Sequence, residues 1–168
     1  VSNVWQTVLL VGAGAAVFKA AGPVVIGGRQ LPQRASGLVA ALAPALLAVF
    51  VGAGCGACLR FALGQTLNRL LPQLPLGTLV ANLIGGYLVG VAIAFFAWRS
   101  ELSVLWRLAL ITGFLGGLTT FSTFSAEVVN AFSRGDLGWA LATAAAHLAG
   151  SLLLTVLGLA TVRMFIAG

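Results

Sequence analysis

Four long apolar stretches constrain this chain more than any other feature of its sequence. They cover residues of about 38 to 65, 76 to 98, 104 to 132 and 138 to 166. A helix that crosses the hydrocarbon core of a bilayer needs about 17 to 25 apolar residues, and each stretch meets this requirement. Trp98, Trp106 and Trp139 stand at the boundaries, where aromatic side chains favour the membrane interface. The sequence therefore predicts an all-α, polytopic membrane protein with four transmembrane helices.

The composition agrees with a lipid environment and argues against other classes of protein. Hydrophobic residues make up 60% of the chain and charged residues 7%, whereas soluble domains carry about a quarter charged residues. The net charge is +6, but the basic residues are scattered singly, so nucleic-acid binding is not indicated. One His and three acidic residues form no triad, metal site or acid pair, which argues against an enzyme. Cys55 and Cys58 lie in a small-residue stretch, and we interpret them as structural.

The first 37 residues form an apolar extension and a polar linker whose topology the sequence leaves open. Lys19 and Pro23 interrupt the apolar part, which would form an additional span, a broken hairpin or an interfacial helix. The polar linker GRQLPQRAS follows it. We therefore divide the chain into an N-terminal hydrophobic extension and linker, residues 1–37, and a four-helix domain, residues 38–168.

The third apolar stretch concentrates glycines and hydroxyl groups in the segment TGFLGGLTTFSTFSAEV, residues 112–128. Gly116 and Gly117 weaken a helix, and non-helical backbone at membrane depth survives only where protein or a polar cavity surrounds it. This pattern predicts a break in the third helix, where exposed N–H groups attract anions and exposed carbonyls coordinate small cations. The alternative is an unbroken helix whose hydroxyls bond back to the preceding turn.

Polar residues recur every four positions in the fourth stretch. They are Thr143, His147, Ser151 and Thr155. This spacing draws one stripe along a helix face, which would line a permeation path together with Asn82 and the hydroxyl cluster. Interhelical hydrogen bonding is the alternative. Nearly every group in this set is a hydrogen-bond donor, and no ring of carboxylates is available for cations, so the stripe suits an anion.

Two phenylalanines and one arginine extend this interpretation. The ring edges of Phe121 and Phe124 carry the positive part of the aromatic quadrupole and would line a route for a small hard anion. Simple packing of the two rings is the alternative. Arg60 lies near the end of the first stretch, where it would either raise the local anion concentration in a vestibule or anchor the helix end by snorkelling.

Three motifs closely resemble the fluoride channels of the Fluc (CrcB) family. They are GxGxGxxLRF from Gly52, GTLVANLIGG from Gly77 and TTFSTFS from Thr119. The resemblance runs from about Leu46 to the C-terminus. It implies a fluoride-selective passive channel that exports fluoride from the cytoplasm and lowers fluoride toxicity. It also implies an antiparallel, dual-topology homodimer in the inner or plasma membrane, with a structural Na⁺.

The resemblance further implies roles for particular residues. The fluoride pathway would be lined by Asn82, Phe121, Ser122, Thr123, Phe124, His147, Ser151 and Thr155. Arg60 and Glu127 correspond to a first-helix arginine and a third-helix glutamate, at a vestibule or a helix end. Main-chain carbonyls of Gly116 and Thr119 would hold the Na⁺ at the centre of the dimer.

The N-terminal 37 residues depart from that family and faintly resemble part of the small subunit of branched-chain amino-acid exporters. Two other functions were weighed for the four-helix domain. A small dual-topology multidrug exporter needs a carboxylate in its first span, and no acidic residue precedes Glu101. A non-conducting membrane assembly subunit would leave the hydroxyl stripe without a role.

Positively charged residues near the span ends are distributed with only a weak bias, which allows insertion in both orientations. One side receives Arg29, Arg34, Arg99, Arg107 and Arg163, and the other side receives Arg69 and Arg134.

Overall fold

The computed structural model describes residues 33 to 167 together with Ala13, and this part of the chain is helical with short connections. The elements are α1 (Gln33–Leu67), α2 (Leu76–Trp98), α3 (Val104–Arg107), a π-helical segment (Leu108–Leu115), α4 (Gly116–Leu118), α5 (Phe121–Ser133) and α6 (Leu137–Ala167). The possible additional span in the N-terminal extension lies outside the described residues. The chain divides into two compact units, Val1–Leu42 and Ala43–Gly168, and the site described below belongs to the second.

The four predicted spans are confirmed. Helical stretches long and apolar enough to cross a membrane are Leu42–Leu67, Leu76–Trp98, Val104–Ser133 and Leu137–Ala167. Large apolar side chains stand on their outer surfaces, among them Phe50, Phe61 and Phe165 at 77%, 67% and 84% exposure. Such surfaces suit a lipid environment, since hydrocarbon replaces water around them. The first described helix extends further toward the N-terminus than expected, to Gln33 within the predicted linker.

The connections place charge and aromatic rings where the spans leave the membrane. Arg99 pairs with Glu101 and lies over the Trp98 ring, with its guanidinium carbon 5.5 Å from the ring centroid. The hydrogen bond from Arg99 lowers the pKa of Glu101 below its ordinary value. Gly135, with φ of 82°, forms the turn between α5 and α6, because glycine adopts the left-handed region without steric cost.

Close packing between spans occurs at glycines, where a side chain would collide with a neighbouring backbone. In α2, a Cβ added at Gly90 would lie 2.9 Å from the backbone nitrogen of Leu159 in α6. In α1, a Cβ added at Gly56 would lie 2.7 Å from the backbone nitrogen of Leu118. Small residues permit this approach inside a membrane, where the hydrophobic effect does not drive helices together.

The buried apolar core lies between the second and third spans. Ala81 of α2 and Leu118 of α4 have no exposed surface, and Leu115 of the π-helical segment is 4% exposed. These contacts place α2 directly beside the middle of the third span. The third span is thereby held against α2 on one side and against the glycines of α1 on another.

We expect Gly56→Ala to lower the free energy of unfolding in detergent by about 1–3 kcal/mol, the usual cost of forcing additional volume into a well-packed site. The added methyl group would overlap the backbone of Phe114 and Leu118. Gly138→Ala is the control, since no described atom lies within 4 Å of a Cβ at that position. Equal stability of the two variants would contradict this packing.

Candidate functional site

The third span is broken near its middle, as the sequence predicts. Its α4 turn ends at Leu118. Thr119 (φ −81°, ψ 156°) and Thr120 (φ −151°, ψ 121°) are extended, and α5 begins at Phe121. The hydroxyl of Thr120 accepts a hydrogen bond from the backbone N–H of Thr123 at 3.2 Å, which caps the new helix. The alternative of an unbroken helix is therefore excluded.

Asn82 of α2 bonds to both backbone groups of Thr120 and so pairs with the extended segment. Its Oδ1 accepts from the Thr120 N–H at 2.8 Å, and its Nδ2 donates to the Thr120 carbonyl at 3.0 Å. The same Nδ2 lies 3.0 Å from Nδ1 of His147 in α6. One side chain thus satisfies both polar groups of a non-helical residue and connects the second, third and fourth spans.

At the break, two backbone carbonyls lose the N–H donors that they would have in a continuous helix. In a continuous helix the Thr120 N–H would bond to the Gly116 carbonyl, but here it donates to Asn82. The Thr123 N–H would bond to the Thr119 carbonyl, but here it donates to the Thr120 hydroxyl. Gly116 and Thr119 are the residues predicted to hold Na⁺. Freed carbonyls at the end of a half-helix are groups that coordinate such a cation, so these residues fit one.

A cavity of about 360 Å³ lies beside the break. Six of the predicted pathway residues line it, namely Asn82, Phe121, Phe124, His147, Ser151 and Thr155. The rings of Phe121 and Phe124 meet edge to face with centroids 5.4 Å apart. Phe124 also stacks on His147, with centroids 4.7 Å apart and planes 23° apart. The cavity therefore combines polar side chains with aromatic rims.

A second cavity of about 470 Å³ adjoins the same break. Arg60, Thr78 and Thr123 line it, and Thr120 lines both this cavity and the first. Glu127 accepts a hydrogen bond from the hydroxyl of Thr78 at 2.6 Å. Arg60 is half-buried, and among the described residues it forms no ion pair. Arg60 thus brings a positive charge to the wall of the second cavity.

Two predicted pathway residues have their hydroxyls engaged elsewhere. Thr155 donates to the carbonyls of Gly86 at 3.0 Å and Ser151 at 2.8 Å, so its proton is committed although it lines the first cavity. Ser122 is exposed, lines neither cavity and bonds to the Thr120 hydroxyl at 3.2 Å.

Thr120 received no role from sequence reasoning, although the structure places it at the centre of the site. It caps α5, pairs with Asn82 and separates the two cavities. The available signal was the doubled threonine of TTFSTFS, since two adjacent β-branched hydroxyl residues favour extended backbone. The π-helical segment was also missed, and nothing in its sequence LALITGFL distinguishes it from an α-helix.

Asn82→Ala should lower the free energy of unfolding in detergent by about 2–4 kcal/mol, because it removes two hydrogen bonds and leaves both backbone groups of Thr120 unpaired. Hydrogen exchange at the Thr120 amide should accelerate in the same variant. Asn130→Ala, at an exposed position of α5, is the matched control. Unchanged exchange at Thr120 would show that Asn82 does not hold the break.

Comparison with known proteins covers the part of the chain that forms this site. The family profile described as "CrcB-like protein, Camphor Resistance (CrcB)" matches residues 47–159. A Burkholderia thailandensis protein named "Fluoride-specific ion channel FluC" is 59% identical over 122 residues, which cover 73% of this chain and 95% of that relative. Proteins of the same name from Burkholderia pseudomallei and Burkholderia cenocepacia are 58% and 57% identical with the same coverage. The family profile does not extend to the N-terminal extension.

Proposed function

This chain belongs to the CrcB family, and we propose that it is a fluoride-selective passive channel whose ions pass through the two cavities beside the helix break. Its close relatives carry the name of a fluoride-specific ion channel. It is a channel rather than an enzyme. The observation that carries the residue-level proposal is the cavity at the break, where Asn82, Phe121 and Phe124 lie together.

The order of groups along the proposed path suits an anion. Arg60 in the wall of the second cavity raises the local concentration of anions. Thr120 and Thr123 follow, and the first cavity then presents the hydroxyl of Ser151, an imidazole and two ring edges. Fluoride holds its water tightly, so a pore must replace that shell with several donors at short range. The low density of acidic groups in this part of the chain disfavours cations.

The surface of the third span supports a dimer. Thr112, Gly116, Ser122 and Thr123 are exposed near the middle of a membrane span. Polar groups at that depth are costly when they face lipid, so another protein surface must cover them. We propose that a second copy does so in the antiparallel orientation, since the weak charge bias of the loops allows both insertions. The protein would then lie in the cell inner membrane as a dual-topology homodimer.

The freed carbonyls of Gly116 and Thr119 support a structural Na⁺ at this interface. Gly116 is exposed, so in the proposed dimer its carbonyl would face the partner copy. Carbonyl oxygens from two antiparallel breaks would provide a small, neutral cage of the kind that coordinates Na⁺ in broken membrane helices. The cation would offset the partial negative charge that the carbonyl ends of α4 place in the bilayer.

The function is tested by fluoride efflux from liposomes, followed with a fluoride electrode after reconstitution of the full chain. We expect Phe121→Ile and Phe124→Ile each to reduce efflux by up to about tenfold, because each removes an electropositive ring edge from the path, and about 1.4 kcal/mol corresponds to tenfold. Dimer assembly, measured by size exclusion, should stay intact.

Chloride efflux is the control for selectivity, and Phe165→Ile is the control for loss of an aromatic ring, because Phe165 is 84% exposed near the end of α6. Chloride conduction equal to that of fluoride would reject the selectivity. Full efflux in both pathway variants would reject the assigned route while leaving channel activity itself intact.

The cation is tested by purifying the protein entirely in K⁺, so that Na⁺ is never offered. We expect the K⁺ preparation to lose fluoride efflux and to unfold at a lower temperature, and addition of Na⁺ to restore both. The reason is that the larger ion fits the carbonyl cage less well. Equal efflux and equal thermal stability in the two salts would contradict a structural Na⁺.

A further inference from the structure

An apolar cleft of about 210 Å³ lies between α2 and the third span. Its described lining consists of Leu, Val, Ala and Phe side chains, and it shares no lining residue with the two cavities at the break. Phe95 of α2 and Leu110 of the π-helical segment, which both line the cleft, are 37% and 43% exposed. The cleft is therefore open to whatever surrounds this face of the protein.

The cleft has dimensions that suit one lipid chain of one leaflet. On α2 its lining runs from Leu88 to Phe96, which is about 12 Å at 1.5 Å per residue. One half of the hydrocarbon core of a bilayer is about 15 Å thick. The shallow end of the cleft lies within one helical turn of Arg99 and Arg107, and its deep end reaches Leu115 beside the break. An acyl chain that enters from the membrane surface would therefore run along the cleft.

The shallow end of the cleft carries groups that bind a negatively charged headgroup. Arg107 is exposed and forms no ion pair with any described residue, whereas Arg99 is engaged by Glu101. Trp98 and Trp106 are 53% and 62% exposed at the same end, and their indole N–H groups are donors that favour the headgroup level. A basic residue at the membrane surface attracts anionic lipids. The mouth of the cleft is thus complementary to an anionic headgroup.

The cleft and the proposed dimer surface lie on opposite sides of the third span. Leu110 and Phe114 line the cleft, whereas Thr112, which stands between them, belongs to the polar surface that we assign to the second copy. Residues two positions apart are separated by about 200° around an α-helix. A second copy that covers Thr112 would therefore leave the cleft to lipid.

We propose that this cleft binds an anionic phospholipid, with an acyl chain between α2 and the third span and the phosphate of its headgroup at Arg107. The proposal goes beyond the proposed channel function, because it does not depend on which ion the protein conducts. The bound chain packs beside Leu115, the residue before Gly116, and so supports the third span next to its break. Removal of the lipid therefore lowers the thermal stability of the protein.

The headgroup is tested by native mass spectrometry of the full chain released from detergent, with phosphatidylglycerol and phosphatidylcholine of identical acyl chains as probes. We expect the wild-type protein to bind phosphatidylglycerol more tightly. Arg107→Gln should weaken that binding by about fivefold, the order expected for one basic residue near the membrane surface, and should leave phosphatidylcholine unchanged. Arg163→Gln is the control, because Arg163 is exposed near the end of α6 and does not line the cleft.

Equal affinity of the wild-type protein for the two lipids would overturn the proposal. An equal loss in Arg107→Gln and Arg163→Gln would overturn it as well, since any surface arginine would then serve.

The acyl chain is tested by filling the cleft. Ala92 is half-buried and lines it, so Ala92→Phe should weaken the binding of both lipids at least about tenfold. Ala97→Phe is the matched control, because Ala97 is exposed on the same helix outside the lining. Added phosphatidylglycerol should raise the melting temperature of the wild-type protein and of Ala97→Phe, but not that of Ala92→Phe. If Ala92→Phe does not fold, Leu110→Trp fills the cleft from its more exposed wall.

The remaining outcomes identify other occupants. Glycerol 3-phosphate that binds as tightly as phosphatidylglycerol would reveal a site for free phosphate and overturn the role of the acyl chain. Loss of the dimer on size exclusion in Ala92→Phe but not in Ala97→Phe would show that a second copy covers the cleft, which also overturns the proposal. Wild-type protein without fluoride efflux would defeat the channel function and leave the lipid site intact.

Discussion

The structure depends on the pairing of Asn82 with the backbone of Thr120. Two adjacent residues leave the helix in the middle of a membrane span, and a bilayer provides no water to satisfy their peptide groups. Asn82 supplies one acceptor and one donor to Thr120 at 2.8 and 3.0 Å, as a neighbouring strand would. Without this substitute both peptide groups of Thr120 would be unpaired inside the bilayer, which is costly.

Several features of the site follow from that one pairing. The carbonyls of Gly116 and Thr119 are free for a cation because the amides that would bond to them are engaged by Asn82 and by the Thr120 hydroxyl. The fourth span is connected to the break because the Asn82 nitrogen also lies 3.0 Å from Nδ1 of His147. Thr120, which lies in the extended segment, lines both cavities. The proposed anion path and the proposed cation site thus both depend on the same break in the backbone.

Much of this arrangement could be predicted from the sequence, and the features that could not be predicted depend on contacts between helices. The four spans follow from the length of apolar stretches, and the break follows from Gly116 and Gly117 next to clustered hydroxyls. Six of the eight expected pathway residues line one cavity. Three of them, His147, Ser151 and Thr155, could be predicted from their four-residue spacing along α6. The hydrogen-bond partners of Thr120 and Thr155 could not be predicted from the sequence, because the partner of a hydroxyl depends on how the backbones of neighbouring helices are placed. The exposed polar surface of the third span supports the proposed dimer, but the sequence alone cannot say which atoms a single copy leaves uncovered.

The π-helical segment Leu108–Leu115 helps to set how the outer half of the third span is rotated relative to the break. It lies between the membrane-surface turn α3 and the break, and its Gly113 and the following Gly117 both approach the backbone of α1 near Gly52 and Ala53. An α-helix advances about 100° per residue, and a π turn accommodates one more residue per turn. Insertion or deletion of one residue here would change how the segment winds, and with it the rotation of the outer half of the span relative to the break. Insertions and deletions in this segment are therefore restricted even though its individual side chains are ordinary apolar residues.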